Sequence, residues 1–324
     1  MLAEAVEEGK PAKLLKLIDG LCKGRDWDGL VDLKARCRHA VESGKQLWAI
    51  ADHVEYRLAL EAPGTWAGPM VFEGAGRFTL GPLPEVAASR HTWDELAPYL
   101  PEGPARTVTA YERVVRGEDL TAAPGIDPLM IELPLKLMDW EPAYPVATYH
   151  ADKTDFPRPE VPKTREVALP ELRPAPAEEP ESIDALLGLV RPWTEESNGR
   201  AEATVVHGDS MGSIRALGPT RARLAPIPPG LAMALMAWAG ASGGAHGRRP
   251  GAAAGRYGAW WTAAAVSGLL DEWPVAPGHL GEAIAEMQWY VWSDLITPTG
   301  WTFHLAVEDP PHGLAWAIAA VDAK

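Results

Sequence analysis

The stretch of sequence most suggestive of chemistry is GDSMG, from Gly208 to Gly212, which fits the G-x-S-x-G pattern of a nucleophile elbow. In that motif a strand leads into a sharp turn that carries the serine, and a helix begins directly after it. The turn exposes the serine hydroxyl, and the helix N-terminus with a backbone N–H stabilises the developing oxyanion. The run ATVVHG supplies a strand before the turn. Ser210 is therefore a candidate nucleophile.

The nine residues VVHGDSMGS resemble the GHSMG elbow of the α/β-hydrolases. The resemblance implies a serine hydrolase in which an acidic residue and then a histidine follow the serine along the chain. Asp271 or Asp294, followed by His304 or His312, meets that order. In this alternative the catalytic residues are Ser210, Asp294 and His304.

The residues after the serine favour a non-catalytic turn instead. Gly218 and Pro219 end any helix within about two turns, whereas the hydrolase elbow needs a longer helix that packs across the sheet. Asp209 stands where the hydrolases carry histidine, and the sequence has no HGGG-like oxyanion loop. We therefore predict that Ser210 is a turn serine. No catalytic residue is preferred, and enzymatic activity is left open.

Metal-ligating residue types occur together without a diagnostic spacing. His150, Asp152 and Asp155 stand close in sequence, but an ordinary polar turn accounts for these turn-compatible residues. Cys22 and Cys37 are separated by 15 positions and lie in helical patterns, which predicts two buried, reduced thiols. We predict neither a metal site nor a cofactor.

The segment GASGGAHGRRPGAAAGRYG, residues 240–258, could hold an anion because glycines let backbone N–H groups approach it and arginines pair its charge. It lacks the G-K-[ST] of a phosphate-binding loop. We therefore predict a mobile loop between two apolar helices, with Arg248 and Arg249 in water. A phosphate- or carboxylate-bearing ligand on these arginines and Arg256 is the alternative.

Tryptophan is abundant, and eight of the 14 lie in the C-terminal third of the chain. Trp289 and Trp292 fall three residues apart in an apolar run that predicts a helix over 278–295. We predict that the tryptophans fill a core between helices and a sheet. In the alternative some of them line a ligand groove or partner interface, with Trp289, Trp292, Arg248 and Arg249 as candidate ligand-binding residues.

The N-terminal part of the sequence is helical by its hydrophobic periodicity. Three successive apolar stripes with helical spacing predict a domain over residues 1–123, built as a bundle or a short helical repeat. Asp52, His53 and Glu55 fall on the polar side of the third helix, which we expect to face solvent.

The remainder of the chain predicts the second half of an α+β protein. Residues 124–181 contain twelve prolines and are predicted to be a connection with short edge strands and an acidic linker. Residues 182–324 are predicted to form a tryptophan-rich α+β domain, an antiparallel or mixed sheet with helices packed on it, which ends in a hairpin.

Bulk properties exclude several classes of function. The formal net charge of −14 disfavours binding to nucleic acid. The N-terminus does not have the pattern of a secretory signal, and no apolar run reaches the ~18 residues of a membrane span, so we expect a cytoplasmic protein. We interpret the chain as a non-catalytic interaction or ligand-binding protein whose partner is another protein or a small ligand, with a homodimer left open. The alternative is the serine hydrolase.

Overall fold

The computed structural model describes residues 2–295 and 299–323 of the chain. Helices dominate the N-terminal part, and an antiparallel six-stranded sheet with packed helices forms the C-terminal part. The predicted α+β architecture is thus confirmed. Within the described ranges, every helix is too short or too polar to cross a lipid bilayer.

The described chain separates into two compact units, here called the helical unit and the sheet unit, and it passes between them three times. The helical unit comprises the residues up to Met130 together with Ala147–Phe156, and the sheet unit comprises Ile131–Val146 and the chain from Pro157 onward. The proline-rich connection therefore contributes residues to both units. The compositional boundaries at 123/124 and 181/182 stay a prediction.

The helical unit is built around one helix that is buried on nearly every side. Its elements are α1 (Leu2–Glu8), α2 (Pro11–Gly24), α3 (Trp27–Glu42), α4 (Trp48–Glu61), α5 (Gly64–Ala67), α6 (Leu83–Ala88), α7 (Trp93–Leu96), α8 (Pro104–Val115), β1 (Thr148–Tyr149) and β2 (Thr154–Asp155). The central helix is α4, which packs against α2, α3, α5 and α6. From Ile50 to Leu60 every residue of α4 except His53 is buried.

The prediction that Asp52, His53 and Glu55 on α4 face solvent is wrong for Asp52 and Glu55. Asp52 and Glu55 are 2% and 1% exposed. Arg38 on α3 donates hydrogen bonds to both carboxylates, at 2.5 Å and 3.0 Å, and the Phe78 backbone N–H donates to Asp52. A buried charge is tolerated when it is paired and hydrogen-bonded, and the pattern of one helix does not show a partner on another.

The sheet unit consists of one antiparallel sheet with helices on it. Its elements are β3 (Arg165–Ala168), α9 (Pro180–Gly188), α10 (Arg191–Glu195), β4 (Arg200–His207), α11 (Ser210–Ala216), β5 (Arg221–Ile227), α12 (Pro229–Ala241), α13 (Ala252–Val266), α14 (Pro277–Glu286), β6 (Gln288–Ser293), β7 (Trp301–Asp309) and β8 (Leu314–Asp322). The strand order is β3-β5-β6-β7-β8-β4, and every neighbouring pair is antiparallel.

The C-terminal hairpin is present as predicted, formed by β7 and β8. Phe303 and Leu305 are buried on one face, and His304 and Ala306 are buried on the other as well. The alternation of apolar and polar residues in the hairpin sequence predicted only one buried face. The second face is covered in part because α11 packs against β4, β7 and β8.

The predicted helix over 278–295 is wrong in its second half. Helix α14 ends at Glu286, and Trp289 and Trp292 lie on strand β6. Tryptophan, tyrosine and valine dominate QWYVWS, and these residue types favour strands. Both faces of β6 carry large aromatic or apolar side chains, Tyr290 and Trp292 on one and Trp289 and Val291 on the other, so the run lacks the polar–apolar alternation that distinguishes a strand from a helix.

The proline-rich connection contains less strand than predicted. The stretch LMIELPLKLM forms no strand, and PVATYH contributes only the two residues of β1. The acidic linker lies along β4, where the Ala177 N–H donates to the Val205 carbonyl and the His207 N–H donates to the Ala175 carbonyl. Pro176 sits between these two bonds, opposite Val206.

A buried ion pair attaches residues 131–146 to the rest of the sheet unit. Arg256 on α13 donates two hydrogen bonds to Glu141, at 2.8 Å and 2.7 Å, and both side chains are fully buried. The guanidinium also donates to the carbonyls of Pro134 and Lys136. Burial would raise the pKa of Glu141, but the hydrogen bonds and charge of Arg256 outweigh it and hold that pKa below its usual value.

Replacing Arg256 by Met should lower the free energy of unfolding by about 3–5 kcal/mol, because Glu141 would remain buried without its cation. Arg221→Met is the matched control, since Arg221 pairs with Glu166 at an exposed site. That variant should lose at most about 1 kcal/mol. Urea unfolding of the sheet unit, followed by tryptophan emission, measures both changes, and equal losses would contradict the role given to the buried pair.

Candidate ligand-binding groove

Ser210 lies at the start of a short helix and is not exposed. Helix α11 begins at Ser210 and ends at Ala216, and Gly218 follows with φ +123°, so the predicted early stop is present. The side chain of Asp209 caps the helix by accepting from the Gly212 N–H at 2.7 Å. Ser210 is only 3% exposed, so its hydroxyl does not present itself to a substrate.

The contacts of Ser210 are not those of a catalytic serine. Its N–H donates to Glu308 at 3.1 Å. Burial and the charge of Glu308 raise the pKa of the nearby Tyr290 phenol, and the Ser210 side chain lowers it by less. In a catalytic triad a histidine stands between the serine hydroxyl and the acidic residue and takes the proton of the hydroxyl. Glu308 and Tyr290 contact Ser210 without such a histidine between them.

Two of the proposed triad residues, Asp294 and His304, line one cavity of the sheet unit, but Ser210 is placed apart from them. His304 is four positions from Glu308 along β7, a separation of about 13 Å in an extended strand. His312 is exposed in the hairpin turn, where its Nδ1 bonds Asp309 at 2.7 Å. Asp271 lies in a single 3₁₀ turn, Leu270–Glu272. The antiparallel pairing of β4 also differs from the parallel strands that βα units produce.

A fluorophosphonate probe should leave the protein unlabelled, because Ser210 is buried and both His304 and His312 lie away from it. The measurement is in-gel fluorescence after incubation of the folded protein at pH 7.5, with Ser213→Ala as a control for the neighbouring buried serine. Labelling of the wild-type chain that Ser210→Ala abolishes and Ser213→Ala preserves would restore the hydrolase alternative.

The glycine- and arginine-rich segment is held by the protein's own side chains. Three of its backbone N–H groups donate to acceptors elsewhere in the sheet unit: Ala245 to Asp322 at 2.6 Å, His246 to Ser197 at 3.2 Å, and Arg248 to Glu196 at 3.0 Å. Arg248 is exposed and Arg249 is half-buried, while Arg256 is occupied by Glu141. N–H groups already bonded to side-chain oxygens are not available to cradle an anion.

The two candidate tryptophans face opposite sides of the sheet. Trp289 is 2% exposed, and its indole N–H donates to the Ile284 carbonyl. Trp292 is 5% exposed, and its indole N–H donates to the Leu305 carbonyl. The structure therefore does not bring Trp289, Trp292 and the two arginines to one place, and Trp292 borders an open cavity.

That cavity, here called the sheet groove, has a volume of about 550 Å³. A row of side chains crosses the sheet beneath it, because His304 on β7 and Glu202 on β4 both pair with Ala319 on β8. The Trp292 ring stacks on the His304 ring with centroids 4.6 Å apart. The residues that line the groove are Arg200, Ala201, Glu202, Leu217, Pro219, Trp292, Asp294, His304, Ala319 and Val321.

The groove exists because α11 is too short to cover its face of the sheet. Ile214 packs with Ala306 and Ala317 in an apolar cluster, and Leu217 borders that cluster at its edge. The chain then turns away at Gly218, so the next residues of β8, Ala319 and Val321, stay only half-buried. Small side chains there leave a depression rather than a packed surface.

His304 is uncharged in the folded protein at neutral pH. Burial lowers its pKa to about 4, against the opposing charge of Asp294, and the positive charge of Arg158 adds to the lowering. A hydrogen bond with the Trp292 backbone raises the pKa by a smaller amount. The floor of the groove is thus a neutral aromatic pair, with carboxylates at Asp294 and Glu202 and a cation at Arg200.

Sequence reasoning found Asp294, His304 and Trp292 but assigned them to two different sites. Arg200, Glu202 and Ala319 were not singled out, because they come from two distant strands, β4 and β8, that meet only through the sheet register. The signal in the sequence was the Gly218-Pro219 stop, which limits the cover over the sheet.

The remaining candidate residues do not form a metal site. His150 and Lys153 both contact Asp155, whose pKa is lowered by Lys153 first and by His150 second, and Asp152 is exposed beside them in the turn between β1 and β2. Cys22 and Cys37 are free and buried, and burial raises the pKa of each thiol to about 11. Among the described residues, no group of three or more His, Cys, Asp or Glu side chains could hold a metal ion.

Comparison with known proteins gives one match. A model described as a family of unknown function, DUF6183, matches residues 12–324. The chain belongs to this family. The match includes both units, and with it every residue of the sheet groove. No curated protein and no solved structure matches the chain.

Replacing His304 by Phe should remove part of the pH dependence of stability in this DUF6183 chain. The unfolded imidazole takes up its proton near pH 6.5 and the folded one near pH 4, so the unfolded state binds more protons between these values. Acid therefore lowers the free energy of unfolding across that window. From pH 7 to pH 5 the wild-type protein should lose about 2 kcal/mol more than His304→Phe in urea unfolding.

The control for this measurement is His246→Gln, which removes an exposed histidine of the same unit. It should keep the wild-type difference between pH 7 and pH 5. If His304→Phe and wild type lost the same stability on acidification, the neutral, buried state of His304 would be contradicted.

Proposed function

We propose that the protein is a non-catalytic ligand-binding protein and that the sheet groove is its binding site. The observation that carries this proposal is the uncovered half of one sheet face, where a stacked Trp292–His304 pair lies under a cavity of about 550 Å³. Cavities of roughly 300–1,000 Å³ that combine apolar walls with a few polar groups are typical ligand sites. The buried Ser210 and its contacts support this function over the hydrolase alternative.

The lining favours a small ligand that pairs an aromatic or apolar body with a positively charged amine. Leu217, Pro219 and the Trp292–His304 pair offer apolar and aromatic contact area. Asp294 and Glu202 carry two negative charges against the single positive charge of Arg200. A charged group buried on binding needs a partner of opposite sign, so an ammonium fits this balance better than a carboxylate.

Two probes of the same ring and opposite charge test this preference. Tryptamine should bind and indole-3-acetate should bind at least about fivefold more weakly, a difference of about 1 kcal/mol. Ligand-observed NMR with saturation transfer from the protein measures both. Equal affinity for the two probes, or binding of neither, would contradict the proposal.

Ala319→Phe should abolish tryptamine binding, because the added ring fills the groove at a half-buried strand position and leaves every polar lining residue in place. Ala285→Phe adds the same ring to an exposed position of α14 and should bind like wild type. Circular dichroism checks that both variants fold. Undiminished binding by Ala319→Phe would place the ligand elsewhere.

Cytoplasmic location, a homodimer, a protein partner and the lack of nucleic-acid binding belong to this proposal as predictions from the sequence. The net charge of −14 supports the last of them. A protein partner that contacts the groove through a lysine side chain is consistent with the same lining chemistry.

A further inference from the structure

The helical unit contains a second cavity, of about 880 Å³, which is independent of the sheet groove. Its walls come from the end of α2, the start of α3, the end of α4 and the region of α7. Three carboxylates line it, Glu61, Asp94 and Glu95, against one cation, Arg25. The cavity therefore carries an excess of negative charge and an excess of hydrogen-bond acceptors.

His91, one of the residues that line the same cavity, carries a buried ring nitrogen. The Nε2 atom of His91 is buried and has no hydrogen-bond partner within the described part of the chain. Burial lowers the pKa of His91, and a hydrogen bond to the Ala59 backbone raises it by less, as a donated bond does. The ring is thus neutral near pH 7, with Nδ1 as the donor and Nε2 as a free acceptor. A buried acceptor of this kind is normally matched by a donor.

Two aromatic rings complete the lining. Trp27, the first residue of α3, is half-buried, and Tyr99 is 44% exposed at the mouth of the cavity. Aromatic faces attract cations, and they stack in particular on planar ones. The negative charge, the hydrogen-bond acceptors and the aromatic rings of the cavity all favour a planar cation.

We propose that this cavity binds a guanidinium group, such as that of an arginine side chain. A guanidinium presents five donors in one plane, which suits several carboxylates and the His91 Nε2 together with a ring face. An ammonium has three donors and no planar face, so it satisfies fewer of these groups. Glu61 already accepts from Arg57 at 2.6 Å, so Asp94 and Glu95 supply most of the charge that a ligand guanidinium would meet.

Isothermal titration of the full chain with N-acetyl-arginine amide tests the proposal. The neutral isostere N-acetyl-citrulline amide is the control ligand, and it should bind at least about tenfold more weakly because it lacks the charge. N-acetyl-lysine amide should lie between the two. The peptide Gly-Gly-Arg-Gly-Gly separates two sources of the group: tighter binding than the amide indicates a protein segment, and equal binding indicates a small guanidine.

Asp94→Asn locates the site. This exposed residue of α7 takes no part in the capping box of Thr92 and Glu95, so the variant should fold and should bind the arginine amide about fivefold more weakly. Asp32→Asn removes the same charge from an exposed position of α3 outside the cavity and should bind like wild type. Ala319→Phe, which fills the sheet groove, should also bind like wild type.

Three results would overturn the proposal. They are equal affinity for the arginine and citrulline amides, equal effects of Asp94→Asn and Asp32→Asn, and no heat of binding with any of the four probes. Because the sheet groove is tested with different probes and a different variant, failure here leaves the proposed function standing, and the converse also holds.

Discussion

The sheet unit depends on one ion pair, Arg256 with Glu141. Residues 131–146 contain no helix or strand in the described structure, so backbone ladders do not hold them in place. Arg256 bonds the carboxylate and two carbonyls of this segment, while Trp260 and Tyr144 also donate to Glu141. A buried ion pair adds little net stability over two well-packed apolar side chains. An unpaired buried charge is costly, however, so the pair permits only the packing in which both charged groups meet.

The pair also orders the aromatic residues near it. Trp140 packs on Trp260 with ring centroids 5.0 Å apart, and its indole N–H donates to the Pro277 carbonyl at the start of α14. Gly281 on α14 leaves room for that indole, since a Cβ there would lie 2.5 Å from it. Helix α14 is followed directly by β6, the strand on which Trp292 borders the sheet groove.

Local signals were sufficient to predict much of the fold. The early stop after Ser210 and the C-terminal hairpin each depend on a few adjacent residues, and both are present. Strand β6 was missed because large apolar side chains on both of its faces remove the alternation, and Asp52 was placed in solvent because its partner belongs to another helix. The candidate sites, like β6 and Asp52, could not be predicted from local signals, since sheet register and helix packing, rather than sequence spacing, bring their residues together.

The acidic, proline-rich segment beside β4 has a consequence for how the protein meets copies of itself. An edge strand offers a row of unpaired backbone groups on which another chain can add a strand. Here the segment bonds two of those groups on β4 and places Pro176, which has no N–H, opposite Val206. Its outer side therefore lacks a regular row of donors, and the glutamates after it repel an identical segment. The segment therefore closes residues 205–207 of the β4 edge to a further strand, so a second copy of the chain cannot extend the sheet at this end of β4.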